Sequence, residues 1–177
     1  TMKYVISILA LLVFAVASNT VASDTNVTKV ITIKKPSNDE LHCLAQNIYF
    51  ESRSDNMAGQ FAVADVVINR VIDKRYPDTI CQVVKEGPIS KWHLETHGKQ
   101  VPVRDKCQFS WYCDGLSDEP VDSKTWAKSL IIAAMVLTST YPHITEGALG
   151  YHADYILPYW VDELEYVTTI DEHIFYK

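Results

Sequence analysis

Three stretches of the chain carry apolar residues at helical spacing. In the first, Leu41, Leu44, Ala45 and Ile48 fall on one face, and Asn38 or Asp39 stands ready to cap a helix starting near Glu40. The second, "MAGQFAVADVVINRVIDKRYP", predicts a helix over 58–75, stopped by Pro77. Its middle is apolar nearly all round, the pattern of a buried central helix. The third, "SKTWAKSLIIAAMVLTS", predicts a helix over 123–139, ended by Tyr141-Pro142. Between the second and third lies a turn-rich stretch in which Pro88, Gly98 and Pro102 leave little room for a helix. After Gly150 the chain turns to aromatic, strand-like pieces, "YHADYILPYW" and "HIFYK". The pattern predicts a mainly helical α+β domain with a small β portion.

One apolar run belongs to a different category. Lys3 precedes "YVISILALLVFAVA", and small residues follow, with "TVA" and "VAS" as cleavage sites ending at Ala22 or Ser23. This is the build of a secretory signal peptide over 1–23, the alternative being a retained N-terminal anchor. Residues 24–38 read as a tether, and 39–177 as a single catalytic domain of sufficient length for a real core. Export to a periplasm or the extracellular space follows, with no stable membrane contact once the signal is removed.

Charge and cysteines narrow the choice. Without residues 1–23 the chain has 15 basic against 22 acidic residues, a net −7. No basic stripe is present, so nucleic acid is excluded as a partner. The four cysteines, Cys43, Cys81, Cys107 and Cys113, are an even set in an exported chain, for which three pairings exist. Spacing favours a local Cys107–Cys113 loop and leaves Cys43 with Cys81. A four-cysteine zinc site is the rival, but it lacks any C-x2-C pair.

Glu51 is the candidate for chemistry. It lies about 60° round the first helix from Ile48 and about 20° from Leu44, on the core side near the C-terminal end. Low dielectric and the negative end of the helix dipole both oppose ionisation there. A carboxylic acid kept protonated near neutral pH is what general acid catalysis needs. The competing reading is a Glu paired with Arg53 or Arg70, which would favour the carboxylate instead.

The stretches "CLAQNIYFESRSDNMAGQFAVADVVINRV", "YPDTICQVV", "CQFSWYCDG", "GYHADYILPYW" and "HIFY" resemble the SleB-type cell wall hydrolases from about residue 40 onward. Asp55 stands where Glu is usual in that family, and Leu149-Gly150 where Thr-His is usual. The resemblance implies a lysozyme-like, peptidoglycan-cleaving single domain in which Glu51 is catalytic. Hydrolysis ordinarily requires a second carboxylate across the bond. Asp55, Asp65, Asp114 and Asp154 are the candidates, and none has a position that demands the role. A lytic transglycosylase needs only the one Glu, and that chemistry is preferred. The alternatives are a hydrolytic muramidase of bacterial or phage origin, a zinc-dependent amidase, and a non-catalytic wall-binding module.

Sugar binding calls for flat faces with polar edges. Phe109, Ser110, Trp111, Tyr151 and His152 are the substrate-binding candidates, with core packing the competing role for any single aromatic. His93 and His97 in "WHLETH" stand at i, i+4, but Glu95 points roughly 200° away from His93, so the zinc-peptidase arrangement is not met. No metal or other cofactor is expected. The partner is the peptidoglycan glycan strand, and the protein is expected to act as a monomer.

Overall fold

The computed structural model describes residues 37–177. The signal peptide and nearly all of the tether lie outside the described residues. Helix α1 spans Asn38–Ser52 and is capped by Ser37, whose Oγ accepts from the Glu40 backbone N–H at 3.2 Å. The cap therefore stands ahead of Asn38 and Asp39, the residues expected to provide it. Asp39 and Glu40 instead occupy the first turn, where the helix dipole favours negative charge.

Helix α2 spans Met57–Ile72. Asn56 caps it, its Oδ1 accepting from Ala58 at 2.8 Å and Gly59 at 3.1 Å. It stops short of the expected Arg75: Asp73 turns extended, and its carboxylate takes the Arg75 guanidinium at 2.8 Å. Two short helices fill the stretch read as turns, α3 (Ile80–Val84) and α4 (Lys91–His97). The α4 result corrects the sequence reading. Pro88 and Pro102 lie outside that helix, and Gly98 is its left-handed C-cap, with φ 64°. Helix α5 runs Ser123–Leu137, opened by Asp122, whose carboxylate accepts from Thr125 N–H at 2.6 Å.

Helices α1, α2 and α5 pack around Leu44, Ile48, Phe61, Val67, Ile132 and Ala133, each essentially without exposed surface. Every residue from Ala62 to Val67 is buried, so α2 is the central helix that its all-round apolar pattern predicts. Three antiparallel strands, β1 (Gly150–Ala153), β2 (Tyr166–Ile170) and β3 (His173–Tyr176), form a sheet in the order β1-β3-β2. Phe175 carries the sheet onto Ala62 and Val66 of α2, with Ala148 in the same cluster.

The cysteines pair as spacing favours. Cys43–Cys81 ties α1 to α3, and Cys107–Cys113 closes a loop around a single 3-10 turn, Ser110–Cys113. No helix among the described residues is long and apolar enough to cross a membrane.

Candidate active site

Glu51 occupies the last turn of α1, which carries no basic residue to offset the dipole. Burial pushes its carboxyl pKa up from the ordinary value, and this outweighs two opposing influences. One is the Tyr151 hydroxyl, which donates to Glu51 Oε2 at 3.1 Å. The other is the more distant positive charge of Arg70. Neither Arg53 nor Arg70 forms an ion pair with Glu51 among the described residues. Arg53 lies over the Tyr49 ring, 5.3 Å from its centroid.

Strand β1 delivers Tyr151. Its partner across the ladder is Phe175, and its ring meets the edge of His173 at 5.1 Å. His173 Nδ1 lies 3.0 Å from Asp55 Oδ2, with both side chains nearly enclosed. Asp55 is thus folded under the start of α2 and away from solvent, and burial is the main cause that raises its pKa. Gly59 makes this possible, since a Cβ there would stand 2.8 Å from Asp55 Oδ2.

Of the other acids considered alongside Glu51, Asp65 and Asp114 are engaged elsewhere. Asp65 Oδ2 accepts from the Ile144 and Thr145 backbones at 3.1 Å each and from the Thr145 hydroxyl at 2.6 Å, while Oδ1 meets His143. It pins the 143–145 loop to α2. Asn69, one turn further along α2, reaches Thr145 and Ala148. Asp114 closes its own turn by accepting from Leu116 N–H at 2.7 Å. Asp154 is exposed at the end of β1.

The sugar-contact candidates separate. Tyr151 meets Glu51. Phe109 is buried beneath the Arg70 guanidinium, 5.1 Å from its ring centroid. Trp111 is also buried, stacked on Phe50 at 4.8 Å with its indole N–H donating to Asn47 at 3.1 Å. His152 stacks on Tyr176 and shares a 3.1 Å hydrogen bond with its hydroxyl. Ser110 is exposed at the start of the 3-10 turn. Two residues that the sequence reading did not place in the site are Arg70 and Trp160, which with Tyr151 line one cavity. The lone cation of a largely apolar helix was the available signal for Arg70.

His93 and His97 do share a face of α4, with ring centroids 6.2 Å apart, but His93 Nδ1 is held by Ser90 Oγ at 3.0 Å. Among the described residues, no group of three or more His, Cys, Asp or Glu is placed to hold a metal ion.

A helical body with a small sheet packed on its central helix, and an acid at a helix end facing that sheet, is a lysozyme-like arrangement. The chain belongs to the Cell Wall Hydrolase family, whose model matches residues 54–176. It is similar to the catalytic domain of the germination-specific lytic transglycosylase SleB from Bacillus anthracis. That likeness has 25% identity and a TM-score of 0.57, over 80% of this chain and 97% of that one. The catalytic domain of the Bacillus cereus SleB protein is similar at 26% identity and a TM-score of 0.55, over 80% of this chain and 91% of that one. No curated protein matches the chain.

Proposed function

We propose that this protein cleaves the glycan strand of peptidoglycan between N-acetylmuramic acid and N-acetylglucosamine as a lytic transglycosylase, with Glu51 as its acid and base. One observation carries the reading. Glu51 is a half-buried, hydrogen-bonded carboxyl whose pKa is raised, while Asp55, Asp65 and Asp114 are committed to other contacts. The likeness to a SleB lytic transglycosylase supports the same chemistry. The family match begins at residue 54, so the role of Glu51 rests on its geometry and on the stretch around it.

Glu51 first gives its proton to the glycosidic oxygen as the bond to muramic acid C1 breaks. The resulting carboxylate then takes the proton of the 6-hydroxyl on the same sugar, whose oxygen closes onto C1. A tethered nucleophile has the entropy advantage of an intramolecular reaction. The product is a 1,6-anhydro end, lighter by one water than a muramidase product and without a reducing end. Mass spectrometry of fragments released from purified peptidoglycan reads this directly. Reducing-end muramic acid as the sole product would assign the enzyme to hydrolysis, and the four aspartates would then be mutated for the missing carboxylate.

Tyr151→Phe tests how the acid is tuned. The hydroxyl donates to Glu51 and favours the carboxylate, so its removal raises the Glu51 pKa further. Activity that needs the protonated acid is lost as pH climbs through that pKa. The alkaline limb of kcat/KM is therefore expected at higher pH in the variant. A limb that does not move would separate Tyr151 from control of Glu51.

Two disulfides fit an oxidising compartment. With a wall polymer as substrate, they support export of the domain to the periplasm or beyond, where it works as a monomer on single strands. The tether would join the catalytic domain to the export segment.

A further inference from the structure

A cavity of about 320 Å³ borders Tyr151 and is lined also by Arg70, Tyr76, Gln108, Trp160 and Lys177, among others. No Asp or Glu side chain lines it, although the chain carries a net charge of −6. We infer that this cavity is an anion subsite, in which Arg70 receives a carboxylate of the peptide stem attached to the glycan strand. The inference rests on peptidoglycan being the substrate.

Arg70 is 7% exposed and is a permanent cation. Its Nε donates to the Leu149 carbonyl at 2.7 Å, but Nη1 is buried without any hydrogen-bond partner. The rings of Tyr76 and Phe109 flank the guanidinium at 5.2 and 5.1 Å. Such faces attract a cation weakly and leave its donors unsatisfied. No ion pair to Arg70 forms among the described residues. A buried charge left without a counter-ion is expensive, and a guanidinium fork matches a carboxylate in shape.

The neighbouring cations do not share its condition. Arg75 is occupied by Asp73, with contacts of 3.0 and 2.8 Å, and Lys177 lies 3.8 Å from Glu165 at the surface. The wall of the cavity is fixed, because Asn69 donates to Thr145 Oγ1 at 3.1 Å and to Ala148 O at 2.9 Å, just ahead of Leu149.

The position suits a substituent of the reacting sugar. Tyr151 lines the cavity and touches Glu51 with its hydroxyl, so the subsite and the acid are one side chain apart. The stem hangs from the lactyl group of muramic acid, the sugar whose bond is cut. A stem carboxylate on Arg70 would also offset the positive charge that pulls Glu51 toward ionisation.

The test uses Glu51→Gln protein, which binds without cutting, and soluble glycan–peptide fragments with their stem carboxylates either free or amidated. The free-acid form is expected to bind at least about tenfold tighter, the scale of one charge-assisted hydrogen bond. The gap should close in Glu51→Gln/Arg70→Met and partly return with Arg70→Lys. Equal Kd values for acid and amide forms would overturn the subsite, as would a gap that persists without Arg70. A phosphorylated glycan lacking the stem that outcompetes the free acid would assign the cavity to another anion and equally overturn it. If Arg70→Met does not fold, the acid-versus-amide comparison decides alone. Products of the parent enzyme keep the two readings apart: anhydro ends without discrimination between stems retain the cleavage chemistry and discard the subsite, and reducing ends with discrimination do the reverse.

Discussion

Glu51→Gln is expected to fold as the parent does and to lose wall-cleaving activity by about 10²–10⁴-fold, the span of general acid catalysis. The amide keeps the shape of the side chain and still offers an oxygen to the Tyr151 hydroxyl. What it cannot do is deliver a proton to the leaving oxygen. The stability sign separates this from a structural role. Burial raises the Glu51 pKa, so the native state holds its proton more tightly than the unfolded chain does. Above the unfolded value that difference counts against folding, and it grows until the folded group itself ionises. The neutral amide is free of the penalty, so near neutral pH the variant should unfold no more easily than the parent. Near-normal turnover in a turbidity assay on purified walls would remove Glu51 from the mechanism; lost activity with lost stability would make it a packing residue.

The second large effect is on folding. Replacing Cys43 and Cys81 together by alanine is expected to cost about 4 kcal/mol, against about 2 kcal/mol for Cys107 and Cys113, from the entropy of closing loops of such different size. The first bridge spans 38 positions and the second 6. Cys43 is also buried in the main core, where its bridge clamps α3 against α1. A loss of 4 kcal/mol is a large part of the roughly 5–15 kcal/mol by which domains are stable. Urea unfolding of the two double variants measures the difference. If the short loop proves the costlier one to open, loop entropy does not govern these bridges.

The sequence reveals positions that follow helical period and misses those set by tertiary contact. The position of Glu51 on the core side of α1 was legible because Leu44 and Ile48 define the buried face of that helix on their own. The central helix was legible because Ala62–Val67 are apolar apart from Asp65. Helix α4 was lost because Gly98 was read as a breaker, when it is the left-handed residue that ends the helix. Strand β2 has an irregular register between Tyr166 and Thr168, which blurs the alternation that would reveal it. Asp55 reads as a turn residue until β3 brings His173 to it. Arg70 looked like a partner for Glu51, and only the packed structure shows a cation flanked by two aromatic rings and facing an open cavity.

The order of the sheet has a consequence for when the surroundings of Glu51 are completed. Glu51 leaves the ribosome early, but Tyr151 is held by a strand whose only neighbour among the described residues is β3, the last of the three to be made. Chain growth puts the acid in place well before the scaffold that tunes it. A ribosome stalled anywhere before His173 would release a chain with its acid but without the strand that brings Tyr151 to bear on it. The contact between Tyr151 and Glu51 is in this way completed by the last of the three strands to be made.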